Sequence, residues 1–352
     1  MMEVSFPSSD DTFQLYGDLT LPSAPSTSAN GDDEATTGTL LPAIVIVAGS
    51  GPIDRNGNAP SMRMKLNTSN RFAEHMSSRS SDRPIAVLSY DKRGVGKSKR
   101  SGDKNLYYRA GMMDFVKDAV EAVRYLSAHP RIDRKKIVLL GHSEGAIILP
   151  LICREVDKNN LDLIFGCIFY SGFGENVEDA MTLQRKTIVE EVQQKEGVTG
   201  WLLRRFISKD KLEKQYNDLM IKVNAEDNPD FVSTHCGLVK QPAKWFREHV
   251  AYDASGALVE HISCHCLAVT GCNDVQVTDE FCKPEIAAAM VPNAASVEAH
   301  RPANLTHVLR SMDGPSKLLD AKKDYVRMGK MILDAKLLSI TDIWCDRILF
   351  SS

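Results

Sequence analysis

Residues Gly141-His-Ser-Glu-Gly145 have the form G-x-S-x-G, and Ser143 at their centre is a candidate nucleophile. An unassisted serine hydroxyl attacks poorly, so the pattern has meaning only where the fold presents and activates it. The flanks meet the first condition. Lys136-Ile-Val-Leu-Leu140 predicts a buried strand directly before the motif, and the apolar run 146–152 predicts a helix directly after it. A strand–turn–helix elbow holds its serine in a strained turn with the hydroxyl pushed outward. Gly141 and Gly145 flank that turn, where any side chain would clash with the neighbouring strand or helix. The competing reading is an ordinary structural Gly/Ser turn. Glu144 places its backbone N–H at the helix N-terminus, suited to holding an oxyanion, and its carboxylate is assigned no chemical role.

A serine nucleophile needs a base, and the base needs an orienting carboxylate. Behind such an elbow the chain order is serine, acid, histidine. The histidines after Ser143 are His235, His249, His261, His265, His300 and His307. His307 lies in a loop just after the last predicted strand, where its ring could swing over the elbow, and is favoured. His300, at the end of that strand, is the runner-up. For the acid, Asp274 in Gly271-Cys-Asn-Asp-Val-Gln-Val277 follows a buried strand, where open α/β sheets place their chemistry. Asp279 is the nearest rival, and Glu175 and Asp179 mark another possible acid position. The second oxyanion donor should come from the loop 48–58. There Gly49 and Gly51 permit close approach, and the amide of Ser50 is favoured with that of Gly51 second. The rival for this loop, a phosphate cradle, lacks the G-K-[ST] ending and a following helix.

The elements that must position these groups are legible as apolar runs. Residues 11–20 alternate and predict an early strand. The runs 41–48, 84–90, 136–140, 163–170 and 264–270 read as strands buried on both faces, and 295–299 as the last strand. Helices are predicted over 111–128, 146–156 and 316–336. Residues 22–39 are too polar to bury and read as a loop, and 173–255 are charged, mostly helical in pattern and carry no buried-strand run. Alternating strands and helices imply an α/β class with a doubly wound, mostly parallel sheet and an inserted helical lid. The predicted parts are an N-terminal strand and polar loop at 1–40, a core at 41–172 and 256–335, the lid at 173–255, and a C-terminal tail at 336–352.

Composition narrows the class. Of 352 residues 43% are hydrophobic and 25% charged, enough to build a core without staples. A net charge of −3 argues against general nucleic-acid or anionic-membrane binding. No apolar run reaches the length of a membrane span, and the N-terminus lacks the layout of a secretory signal or transit peptide. Eight scattered cysteines then suggest free thiols in a cytoplasmic protein. The group His261, Cys264, His265, Cys266 and Cys272 raises the question of zinc. Strand alternation puts Cys264 and Cys266 on one face and His265 on the other, and no second knuckle matches, so no metal and no cofactor is expected. The segment Asp91–Ser98 resembles a nucleotide loop only superficially. Trp245 and Phe246 are expected to pack lid against core, or to line an acyl pocket.

Taken together, AGSGPIDRNGN, YDKRGVGKS, GHSEGA, GCNDVQV and NLTHVLR resemble, in order and spacing, the α/β-hydrolase superfamily. The resemblance is to the branch of esterases and serine-aminopeptidase-like hydrolases and covers roughly 41–335, most weakly at 173–240. It implies Ser143 as nucleophile, Asp274 as acid, His307 as base, and the amides of Ser50 and Glu144 as oxyanion donors. The implied activity is hydrolysis of a carboxylic ester or related acyl bond in a small-molecule substrate. An acyl-CoA thioesterase would use basic residues such as Arg185, Lys186, Arg204 and Arg205. A serine aminopeptidase would use carboxylates such as Glu190 and Glu191. A catalytically silent binding protein is the remaining alternative. Nothing in the sequence marks the oligomeric state or a role for Cys264, Cys266 and Cys272.

Overall fold

The structure is a computed structural model, and it describes residues 1–22, 40–79, 83–161, 164–234 and 239–350. The strands are β1 (Met2–Pro7), β2 (Gln14–Thr20), β3 (Leu41–Val47), β4 (Ala86–Tyr90), β5 (Ile132–His142), β6 (Gly166–Tyr170), β7 (Val232–Thr234), β8 (Val239–Gln241), β9 (His265–Val269) and β10 (Ser296–His300). The helices are α1 (Thr68–Ser77), α2 (Leu106–Arg109), α3 (Met112–Ser127), α4 (Glu144–Ile147), α5 (Leu149–Lys158), α6 (Val177–Gln194), α7 (Gly197–Phe206), α8 (Lys209–Val223), α9 (Ala243–Val250), α10 (Ala254–His261), α11 (Pro284–Met290), α12 (Ala321–Met328) and α13 (Ala335–Phe350).

Eight strands form one sheet in the order β1-β2-β4-β3-β5-β6-β9-β10. β1 and β2 pair antiparallel, as do β2 and β4, and the other pairs are parallel. Every residue of β3, β4 and β6 is buried, because helices cover both faces of the sheet. Side chains of α3 and α5 pack with one face, and those of α1 and α13 with the other. This is the doubly wound, mostly parallel sheet that the alternating runs predict.

Two expectations are corrected. Residues 336–352 are not a tail: α13 buries Leu337, Trp344, Cys345 and Leu349 against the sheet. These apolar residues recur at helical spacing, and the stripe has a complete sheet face to cover. The single helix expected over 316–336 is the shorter α12, which ends before Gly329. Gly329 packs its backbone against the Lys65 carbonyl, and Ala335 opens α13. The segment 173–255 is mostly helical. It carries α6 to α9 and also the β7–β8 hairpin, whose strands are half-buried or exposed and so show no buried-strand run. The sequence reading also missed β1, in which only Val4 and Phe6 are buried. The polar loop lies, apart from Pro22, outside the described residues, as does His235. Among the described residues no helix is long and apolar enough to cross a membrane.

Candidate active site

The C-terminal end of β5 runs into α4 through Ser143, whose φ of 56° lies in a region that non-glycine residues seldom occupy. The turn is held by the Ser143 amide, which donates to the Tyr170 carbonyl of β6 at 2.8 Å. It is tight because glycines flank it. A Cβ at Gly145 would stand 2.0 Å from the Val47 carbonyl oxygen, and one at Gly141 2.4 Å from that of Gly145. Two other strand ends reach the same place. His307 Nε2 is 3.1 Å from Ser143 Oγ, and His307 Nδ1 is 2.9 Å from Asp274 Oδ2. Asp274 is buried, and its Oδ1 accepts from the amide of Gln276 at 2.8 Å. His142 Nε2 donates to the His307 carbonyl at 2.7 Å, and burial lowers its pKa to about 4, so the ring is neutral near pH 7.

The rivals stand elsewhere. His249 is buried against Glu144, His265 meets Ser296, and His261 and His300 lie beside Glu260 and Glu298. Asp279 pairs with Arg301, and Asp179 accepts from Asn176. Glu175 is buried and accepts from the Thr278 amide at 3.2 Å.

The loop after β3 lies beside the nucleophile: a Cβ at Gly49 would be 3.1 Å from the Ser143 Cβ. Arg55 anchors this loop, through its amide and guanidinium, to buried Asp91 after β4. The two charged motifs thus brace each other, while Arg93 pairs with Asp118 of α3.

Comparison with known proteins bears on the fold. The family described as "Serine aminopeptidase, S33" matches residues 66–227. Solved structures with a similar fold include an esterase from Pyrococcus furiosus, at 12% identity over 99% of this chain and 90% of that one, with a TM-score of 0.53. The α/β-hydrolase GrgF from Penicillium sp. sh18 is similar over 98% of both chains, at 12% identity and a TM-score of 0.52. Est1E from Butyrivibrio proteoclasticus, with ferulic acid bound, is similar over 92% of this chain and 97% of that one, at 14% identity and a TM-score of 0.50. No curated protein matches the chain in sequence. The chain has the α/β-hydrolase fold.

Sequence reasoning missed what surrounds Ser143. Glu144, assigned no side-chain role, is buried with its Oε2 2.9 Å from Lys92 Nζ. Trp245 Nε1 donates to its Oε1, and His249 Nε2 lies 3.3 Å from the same oxygen. Burial is the largest single influence and raises the Glu144 pKa, but the charges and hydrogen bonds of Lys92 and His249 together outweigh it and hold the carboxyl well below the usual range. No local signal marks such a network, because its members come from three separate loops and helices.

Ser143 and His307 open on a cavity of about 530 Å³. Its walls are mainly apolar and come from 46–72 and 308–333, including Met62, Leu66, Phe72, Val308, Leu318 and Leu333. From the segment 173–255 only Gln184, among the described residues, lines it. Among those residues no carboxylate lines it either. Glu191 instead accepts from the Leu318 and Leu319 amides and so supports the cavity wall from outside. Glu190 is exposed beside Lys186, Arg185 pairs with Glu178, and Arg204 donates to backbone carbonyls at 192–195.

Proposed function

We propose that this chain is a serine esterase, cleaving a carboxylic ester of a small molecule by way of an acyl-enzyme. One observation carries the reading: the hydrogen-bonded series Asp274–His307–Ser143 opens directly on the apolar cavity. His307 Nε2 takes the Ser143 proton as Oγ attacks the acyl carbon, and Asp274 keeps the ring oriented. The amides of Ser50 and Glu144 hold the oxyanion. Ser50 is preferred to Gly51 because the Gly51 amide already meets the Tyr107 hydroxyl. His307 then protonates the leaving alcohol, activates water, and returns the proton to Ser143 as the acyl group departs.

In this reading the segment 173–255 is a lid that touches the cavity through Gln184 and the nucleophile turn through Trp245 and His249. A cytosolic location is part of the proposal, supported by the free thiols of the described cysteines. The aminopeptidase reading draws on the matched family's description, but a substrate ammonium would find no carboxylate among the described lining residues.

The test is activity-based labelling. Wild type should hydrolyse p-nitrophenyl esters and react with a fluorophosphonate at Ser143. Ser143→Ala should lose both while melting at the wild-type temperature. Labelling that survives the substitution, or faster turnover of aminoacyl amides than of esters, would overturn the proposal.

A further inference from the structure

Away from the active site, three sulfurs from distant parts of the chain converge. Cys153 lies on α5, Cys167 on β6, and Cys264 just before β9. Cys153 Sγ and Cys264 Sγ each stand 3.6 Å from Cys167 Sγ, and all three sulfurs lie within 4.8 Å of one another. The sheet register explains the meeting. Cys167 pairs with Cys266, so Cys264 sits one pleat earlier on the same face, and α5 covers that face.

We propose that Cys153, Cys167 and Cys264 bind one thiophilic d10 cation of the zinc(II) or copper(I) class. The ligand chemistry fits, since soft thiolates are the side chains that select these ions. The spacing fits as well. Three sulfurs bound tetrahedrally at about 2.3 Å from one ion stand about 3.8 Å apart. Two edges of the triangle are already within tenths of an ångström of that value. On binding, each S–H bond yields to a sulfur–metal bond and its proton leaves to solvent. Cys167 is buried, whereas Cys153 and Cys264 are only partly so. The ion therefore has a way in past Cys153, and a water molecule would complete the tetrahedron.

The site would staple α5 to β6 and β9. It is separate from the proposed chemistry, because Cys167 precedes Tyr170, whose carbonyl holds the Ser143 amide, by about 10 Å of strand. Sequence spacing gave no hint of it, since the three cysteines form no knuckle and only Cys264 belonged to the group considered for zinc.

The experiment uses the full chain, reduced and stripped with a chelator. It is then titrated with zinc(II) against a chromophoric chelator and with copper(I) against bicinchoninate. One equivalent of at least one ion should be retained, with a rise in melting temperature, because a ligand of the folded state stabilises it. Retention of zinc(II) alone indicates a water-completed tetrahedron, and of copper(I) alone a trigonal site. Cys167→Ser and Cys153→Ser should each weaken binding roughly tenfold or more. Cys282→Ser, buried beside Thr270, should leave binding unchanged. Cys153→Ser removes a partly exposed thiol and keeps the test valid if Cys167→Ser fails to fold. Ester hydrolysis by the stripped protein should persist in the Cys153 variant. Failure to hold either ion against its competitor, or equal stoichiometry in the Cys153 and Cys167 variants, would overturn the site.

Discussion

Lys92 Nζ lies 2.9 Å from Glu144 Oε2 and 2.6 Å from the Gly49 carbonyl oxygen, with both side chains buried. One ammonium therefore spans the turn that carries Ser143 and the loop that carries Ser50. Those are the two segments proposed to supply the oxyanion donors. A donor acts only at the right distance, so a clamp on its segment is a clamp on the transition state. Trp245 and His249 of α9 grip the other carboxylate oxygen, which couples the segment 173–255 to the same turn.

Lys92→Met should cost about 3–5 kcal/mol of stability, because it leaves Glu144 charged and buried without its partner. The double variant Lys92→Met/Glu144→Gln should recover most of that loss. Its kcat on a p-nitrophenyl ester should nonetheless stay down by about 100-fold, the scale of losing one oxyanion donor, with KM little changed. Melting temperature and steady-state kinetics on both variants separate the two effects. Full activity in the double variant would reduce the clamp to a packing feature.

Glu175 gives the protein a pH dependence of stability. Burial raises its carboxyl from 4.5 to about 7, and the charges of Asp179 and Asp274 push the same way against the Thr278 amide. The folded chain therefore holds this proton more tightly than the unfolded chain between those values. Stability should fall as pH rises from about 4.5 to about 7 and then level off, with a total effect of at most about 3 kcal/mol. Glu175→Gln keeps the acceptor for the Thr278 amide and removes the charge. It should melt higher than wild type at pH 8 and no higher at pH 5. Parallel melting curves across that range would refute the assignment.

How much of this was legible in the sequence follows from how local each signal is. The central strands stood out because burial on both faces makes Leu41–Val47 and Ala86–Tyr90 continuous apolar runs. Ser143 and Asp274 were legible as candidates because each follows such a run, and His307 because it follows the last strand, the half-buried β10. β1 was not, since only two of its six residues are buried. The Lys92–Glu144 pair was not legible either. Lys92 sits in a loop motif and Glu144 at a variable motif position, and only the sheet brings them together. The cavity walls were not legible either, because most of the lining comes from two separate stretches of the core region that only the fold brings together.

Trp344 should matter out of proportion to its place near the chain end. It is fully buried between α13 and the sheet, in the same cluster as Ile44, Ile168 and Leu267. Trp344→Ala should lower stability by about 3–5 kcal/mol, as for a large aromatic removed from a packed core. Ending the chain at Asp334 should expose that sheet face and abolish soluble folding. Chemical denaturation of the point variant, and solubility of the truncated one, check the two statements. A folded, active truncation would show that α13 is dispensable packing.

The cavity predicts a graded preference among esters. Each methylene that enters an apolar wall contributes up to about 0.8 kcal/mol, or about fourfold in kcat/KM if the transition state keeps the contact. From acetate to butyrate to hexanoate, kcat/KM should therefore rise until the 530 Å³ cavity is full. Leu318 stands on its wall, held in place by the contacts of Glu191 with the adjacent amides. Leu318→Trp should shorten the usable length, lowering hexanoate turnover by roughly tenfold or more while leaving acetate nearly unchanged. Gln184→Ala should alter the series little, since Gln184 adds no apolar wall. A series of p-nitrophenyl esters on the three proteins decides the matter. A wild-type preference that is flat with chain length, or an equal loss for acetate and hexanoate in the Leu318 variant, would show that the acyl group binds elsewhere.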